Sequence, residues 1–146
     1  ISKTLSHLYP TLLPHFVIVS GKIEQELSVM SIDDQKEYLA QYDIHDSGLK
    51  RVVTIGYSLL GLISYLTAGV KEVRAWTIAK GTLAPAAAGV IHTDFEKKFI
   101  KAEIASYESF VELGGWQKCR DSGKVVLAGK DYVMKDGDVV DFKIGA

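Results

Sequence analysis

The sequence predicts an α+β fold: a helical first part followed by a small mixed sheet. Apolar residues recur three or four apart before residue 65. After it they alternate with polar ones in short runs, and glycine-rich turns separate those runs. A length of 146 residues and 16.0 kDa suits one compact domain, or one small domain with part of another. A content of 47% hydrophobic and 24% charged residues excludes a disordered chain. The net charge of −1 argues against a polybasic nucleic-acid binder and leaves room only for a local patch. With Cys119 as its one cysteine, the chain cannot hold an internal disulfide, which fits a reducing compartment.

Ile1, Leu5, Leu8 and Tyr9 share a helical face, which Pro10 and Pro14 end. The apolar run Phe16 to Val19 reads as a strand buried on both sides, as in a parallel sheet. A helix is expected from about Ile23 to Met30. A second is expected from Ser31, where Asp34 completes a capping box, to about Tyr42. Asp46 and Ser47 can cap a third. From Val52 to Val70 no residue is charged, a length that nominates a membrane span. Thr54, Tyr57, Ser58, Ser64, Tyr65, Thr67 and three glycines argue instead for a helix buried at a junction.

Beyond Gly69 the period changes to two. Glu72 to Ile78 reads as a half-exposed strand, Lys80-Gly81-Thr82 as a turn, and Pro85 as the first turn of a short helix. Phe99 to Ala105 alternates again. Tyr107 to Leu113 is helical, stops at Gly114-Gly115 and resumes to Ser122. Tyr132 to Met134 and Val139 to Ile144 are expected as two closing strands around an Asp136-Gly137-Asp138 hairpin turn. The pattern after residue 65 suggests a ubiquitin-like roll, with alternatives open. The first part has a single strand without neighbours, and the first residue is Ile1. We therefore expect a piece of a longer protein.

Site chemistry is sparse. His7, His15, His45 and His92 are scattered, so no short-spaced metal clip is expected. Cys119 lies between Lys118 and Arg120, which could lower a thiol pKa, but an inert helix residue is the simpler reading. Gly21-Lys22, Gly123-Lys124 and Gly129-Lys130 imitate the end of a phosphate loop. The leading glycine is replaced by Phe16, Lys118 and Lys124, and the following Ser or Thr by Ile23, Val125 and Asp131. The chain is therefore expected to have no phosphate cradle and to hydrolyse no nucleotide alone.

Two stretches bring a family into view. Ala68 to Gly115 contains the runs Glu72-Val73-Arg74-Ala75-Trp76-Thr77-Ile78 and Gly89-Val90-Ile91-His92-Thr93-Asp94-Phe95-Glu96. Together with Gly129 to Ile144 it resembles the C-terminal domain of the YchF/Obg-like ATPases. That domain type, TGS, is a β-grasp fold that also occurs in threonyl-tRNA synthetases and stringent-response enzymes. Phe16 to Ser31 resembles, more loosely, the last strand of the family's G domain and the loop that touches the nucleotide base. The loop here is Ser20, Gly21 and Lys22, followed by Ile23 and Glu24. The resemblance implies that residues 1–65 are the helical end of a P-loop α/β G domain and residues 66–146 a TGS domain. It implies a cytoplasmic, ribosome-associated parent using ATP or GTP with Mg²⁺, whose phosphate loop, switches and base-specificity motif lie upstream.

The expected role of this portion is binding. Arg74, Lys80, Lys97, Lys98 and Lys101, with Trp76, Phe95 and Phe99 near them in sequence, could form a face for structured RNA or the ribosome. The eleven acidic residues of the second part give equal weight to a core-aromatic, solvated-lysine reading. His92 and Asp94 are read as caps at an element boundary. Other partners expected are the parent's own G domain, with neither a membrane nor specific DNA among them. Two alternatives stay open: a stand-alone β-grasp protein-interaction module with no NTPase attached and, more weakly, a Cys-dependent enzyme.

Overall fold

The computed structural model describes residues 16–145, so the expected helix end at Ile1–Tyr9 lies outside the described residues. The chain divides into two compact units between Leu59 and Leu60. The change of pattern at residue 65 falls within Leu62–Ala68, a strand of the second unit.

The first unit contains helices α1 (Gly21–Leu27), α2 (Ile32–Ala40) and α3 (Gly48–Leu60). Local polar chemistry begins each one. Ser20 Oγ accepts from Ile23 N–H at α1. At α2, Ser31 Oγ accepts from Asp34 N–H at 3.3 Å and donates to the Asp34 carboxylate at 2.6 Å, as the capping-box spacing predicts. At α3, Ser47 Oγ accepts from Lys50 N–H. Glu24 reaches from α1 to accept from Gly48 N–H at 2.7 Å and Leu49 N–H at 3.4 Å. Gly48 permits that approach, because a Cβ there would stand 2.7 Å from a Val19 methyl and 2.9 Å from Glu24 Oε1. Phe16–Val19 does not form the expected strand. The segment is irregular, and Ile18 is 53% exposed.

The single junction helix expected over 52–70 is in fact a helix and a strand. Gly61, at φ +62°, ends α3 in the left-handed region. Strand β1 (Leu62–Ala68) follows. Ile63 and Tyr65 of β1 are buried, and their neighbours are less so, the period of two that a helical reading of this uncharged stretch obscures. Val52, Val53, Leu59 and Leu60 on α3 are exposed rather than enclosed. No helix among the described residues is long and apolar enough to cross a membrane.

The second unit continues with β2 (Val73–Ala79), α4 (Ala84–Ile91), α5 (Thr93–Lys97), β3 (Phe99–Ser106), α6 (Tyr107–Leu113), α7 (Trp116–Asp121), β4 (Val126–Ala128) and β5 (Asp138–Ile144). The five strands form one mixed sheet in the order β2-β1-β5-β3-β4. β1 is antiparallel to β2 along its length and parallel to β5 only at Leu66–Val139 and Thr67–Val140. β3 is antiparallel to both β4 and β5.

One face of the sheet packs with α4 into the core. Tyr65, Ile78, Ala102, Ile104 and Val140 meet Ala84, Ala87 and Ala88 there. The small α4 residues let the helix lie close, and the Tyr65 hydroxyl donates to Ala87 C=O at 2.8 Å. On the other face Arg120 of α7 bonds Glu103 of β3 at 2.7 Å. Cys119, Ala105 and Val139 are buried.

The closing hairpin differs from expectation. Tyr132–Met134 makes only an isolated bridge, Val133 with Leu83, and β5 pairs with β3 and β1 instead. The Asp136-Gly137 turn serves β1: Ser64 N–H donates to the Asp136 carboxylate, and Gly137 N–H donates to Ser64 C=O.

Candidate functional site

The first candidate is the loop before α1. Ser20 is exposed and occupied in capping, and Lys22 is exposed 4.0 Å from Glu26. Ser20 lines a cavity of about 250 Å³ with Glu24 and Arg51, but Gly21 and Lys22 do not. Glu24 is engaged by the N-terminus of α3, and the Arg51 guanidinium donates to Ile18 C=O at 2.5 Å. Gly123-Lys124 follows α7 and Gly129-Lys130 follows β4. No Gly-Lys pair here follows the glycine-led loop that wraps a phosphate. No group of three or more His, Cys, Asp or Glu suited to a metal occurs among the described residues. The described residues therefore do not fit a nucleoside triphosphate with its Mg²⁺.

The second candidate is the set of cations on the second unit. Lys97 ends α5, Lys98 caps it, and Lys101 follows on β3, all three exposed. Arg74 lies near the start of β2, and Lys80 follows its last residue, Ala79. The register also separates faces. Arg74 alternates with Trp76 and Ile78 on the core side, whereas Lys101 precedes core-facing Ala102 and points to the other side. The fold thus groups Lys97, Lys98 and Lys101 near one strand end and places Arg74 and Lys80 apart from them.

The aromatics divide similarly. Phe99 is core, 3% exposed. Phe95 is half-buried against the core, 5.7 Å from the His92 ring. Trp76 donates its indole N–H to Thr67 Oγ1, and the Arg74 guanidinium lies 4.2 Å from the ring centroid. His92 acts as the expected cap: its Nδ1 accepts from Asp94 N–H at the start of α5.

Two features escape the sequence reading. One is a charge network on the sheet. Arg120 bonds Glu103 at 2.7 Å, while Lys143 lies 2.5 Å from Asp141 and 3.6 Å from Glu103. Arg120 beside it holds the Glu103 carboxyl below its ordinary range. The other is an open groove of about 680 Å³ where β1 ends. Trp76, Ile91, Phe95 and Phe142 line it from one side of the sheet, Phe110 and Trp116 from the other. The alternation around β5 gave a partial signal for Phe142. Nothing local relates Trp116, whose indole N–H donates to Ala68 C=O, to a strand 48 positions earlier.

Comparison with known proteins places this geometry. The family model YchF-GTPase_C, described as a protein of unknown function (DUF933), matches residues 62–145. The "Ribosome-binding ATPase YchF" of Haemophilus influenzae is 49% identical over 127 residues, 87% of this chain and 35% of that protein. The protein of the same name from Bacillus subtilis is 46% identical over the same shares. "Obg-like ATPase 1" of Gallus gallus is 46% identical over 85% of this chain and 31% of its own length. The solved structure of the Schizosaccharomyces pombe YchF GTPase matches with a TM-score of 0.72 and 42% identity, covering 86% of this chain and 33% of that one. The chain spans about a third of the length of the relatives it matches. Its family-model match covers more than half of its residues, and the chain belongs to the YchF family.

Proposed function

We propose that this chain is the C-terminal portion of a ribosome-associated P-loop NTPase, and that residues 60–145 form its interaction module. The observation that carries this reading is near-half identity, over most of the chain, to proteins named as ribosome-binding ATPases. The module is read as a TGS domain of β-grasp type. The sheet order supports that reading, with β1 and β5 parallel side by side and a helix across one face. Nucleotide binding and hydrolysis, with ATP or GTP and Mg²⁺, belong to the upstream part of the protein. The exposed Ile18, Val19, Leu49, Val52 and Val53 support the reading of the first unit as the helical end of a G domain, whose upstream part would cover them.

The contact proposed for the ribosome is the group Lys97, Lys98 and Lys101, acting on RNA phosphate. Co-sedimentation of the 146-residue chain with ribosomes at low salt tests it. Binding weakens as salt rises. Changing all three lysines to Glu removes most of it while the unfolding midpoint holds, because exposed charges contribute little stability. Unchanged co-sedimentation of the triple variant refutes the assignment. The chain alone turns over neither ATP nor GTP. Turnover that survives repurification and disappears on changing Lys22, Lys124 or Lys130 overturns that part.

A further inference from the structure

The groove at the end of β1 has a feature beyond its aromatic walls. β1 stops at Ala68, whereas β5 runs on to Ile144, and their ladder ends at Thr67–Val140. β3 pairs with the other side of β5 as far as Ile144. Among the described residues no strand pairs with β5 on its β1 side from Asp141 onward. Backbone N–H and C=O groups of a strand point alternately to its two sides, so this stretch presents a short free edge inside the sheet. The groove opens beside that edge and has apolar walls both above and below the sheet.

We propose that this groove binds an extended polypeptide segment of a partner protein, added as a strand beside Asp141–Ile144. An added strand directs successive side chains to opposite faces. One set meets Trp76, Ile91 and Phe95, and the alternate set meets Phe110 and Trp116. A groove walled on one face alone could not use that alternation.

Charge selects the class of segment. The charged residues lining the groove are Glu72 and Asp141, with no Lys or Arg among them. Asp141 shares the cations Lys143 and Arg120, whereas the Glu72 residue is exposed at the mouth. The segment therefore carries apolar residues at alternate positions and Lys or Arg at the end nearest Glu72. RNA is the poorer occupant, because no lining residue is a cation and the nearby Arg74 and Arg120 are held against the Trp76 and Trp116 rings. This surface is separate from Lys97, Lys98 and Lys101, and either assignment can fail without the other.

The test selects peptides of about twelve residues from a random display library on the immobilised 146-residue chain, then uses the synthetic peptides in solution. Selected sequences are expected to alternate apolar residues and to include Lys or Arg. Their binding slows amide exchange at Asp141–Ile144. Val70→Asp combined with Glu72→Lys changes exposed positions of the groove. It weakens binding about tenfold or more with the unfolding midpoint unchanged. An oligouridylate does not compete.

Five outcomes overturn the proposal. No sequence is enriched over the blank support; the variant binds the peptides as well as the parent chain does; or exchange slows elsewhere. In the fourth, oligouridylate displaces the peptides, which assigns the groove to RNA. Concentration-dependent dimerisation that protects Asp141–Ile144 without peptide also overturns it, in favour of a second copy of the chain.

Discussion

The two units hold themselves together differently. In residues 60–145 a five-stranded sheet closes over α4, and the buried side chains touch one another in a continuous cluster. In residues 16–59 the buried apolar side chains are Leu27 and Leu39, while Val29, Ile32, Leu49, Val52 and Val53 lie exposed. What orders the first unit is largely polar: the Ser20, Ser31 and Ser47 caps, Glu24 on the start of α3, and Arg51 on the Ile18 carbonyl. Caps contribute about 1 kcal/mol each, whereas burial of one large apolar side chain contributes about 1.5–3 kcal/mol. Among the described residues of this unit, caps specify the helices and few apolar side chains are buried.

The most severe way to break this comparison is to separate the units. A polypeptide of residues 60–146 is expected to unfold cooperatively alone, and one of residues 1–59 is not. Circular dichroism and amide exchange on each decide it, and a cooperative melt of residues 1–59 would contradict the asymmetry. Cutting at 65 instead sharpens the boundary. It removes Ile63 and Tyr65 from the core and most of the β1 partner of β2, so residues 66–146 are expected to lose cooperative unfolding.

Next in size is a single core deletion. Phe99 is 3% exposed and sets its ring edge against Phe142. Phe99→Ala is expected to cost about 3–5 kcal/mol in urea unfolding. A cost near zero would mean that this end of the core is not closed.

The same contrast explains what the sequence reveals. Capping residues act on their own helix, so Ser31 with Asp34 and Pro85 are legible locally, and the strands at Val73 and Phe99 follow from alternation. β1 is hidden, because Val52–Val70 carries no charge to mark a face and only Gly61 signals the change of period. The expected strand at Tyr132–Met134 fails for a different reason. Strand propensity does not choose a partner, and Ala102, Glu103 and Ile104 on β3 pair with Val126–Ala128 instead. Within the candidate site, the sequence identifies the cations but not their faces. Face depends on register, and register is set by strands distant in sequence.

A smaller effect concerns Asp138, 6% exposed in the second unit. Its carboxylate accepts from Lys135 N–H at 2.9 Å and from the Tyr132 hydroxyl at 3.1 Å, both on one oxygen. Burial pushes its pKa up despite these bonds. Burial and the carboxylate together push the Tyr132 hydroxyl to about 12. A raised carboxyl pKa contributes stability below the unfolded value, and that contribution is lost as pH rises through the folded one. Asp138→Asn keeps the accepting oxygen and removes the charge. It is expected to flatten this part of the pH profile without loss at neutral pH. Asp138→Ala leaves two donors unpaired and costs about 1–3 kcal/mol. Equal losses in the two variants would show that the charge itself is needed.

The smallest effect has the opposite sign. Glu103 is held down chiefly by its hydrogen bonds from Arg120, at 3.2 and 2.7 Å, with Lys143 adding to the field and partial burial opposing. A depressed carboxyl pKa contributes stability above the unfolded value, and that contribution is lost as pH falls through the folded one. Glu103→Gln is therefore expected to cost less than about 1 kcal/mol at neutral pH and nothing in strong acid. Asp138 and Glu103 thus tilt the profile of the same unit in opposite directions. The Asp138→Asn background removes the opposing slope and exposes the acid loss due to Glu103; adding Glu103→Gln removes that loss in turn. Urea midpoints from acid to neutral pH measure both. A Glu103→Gln profile superimposable on the parent's at every pH would mean that the ion network over β3 and β5 is a solvated surface feature with no share in holding the sheet.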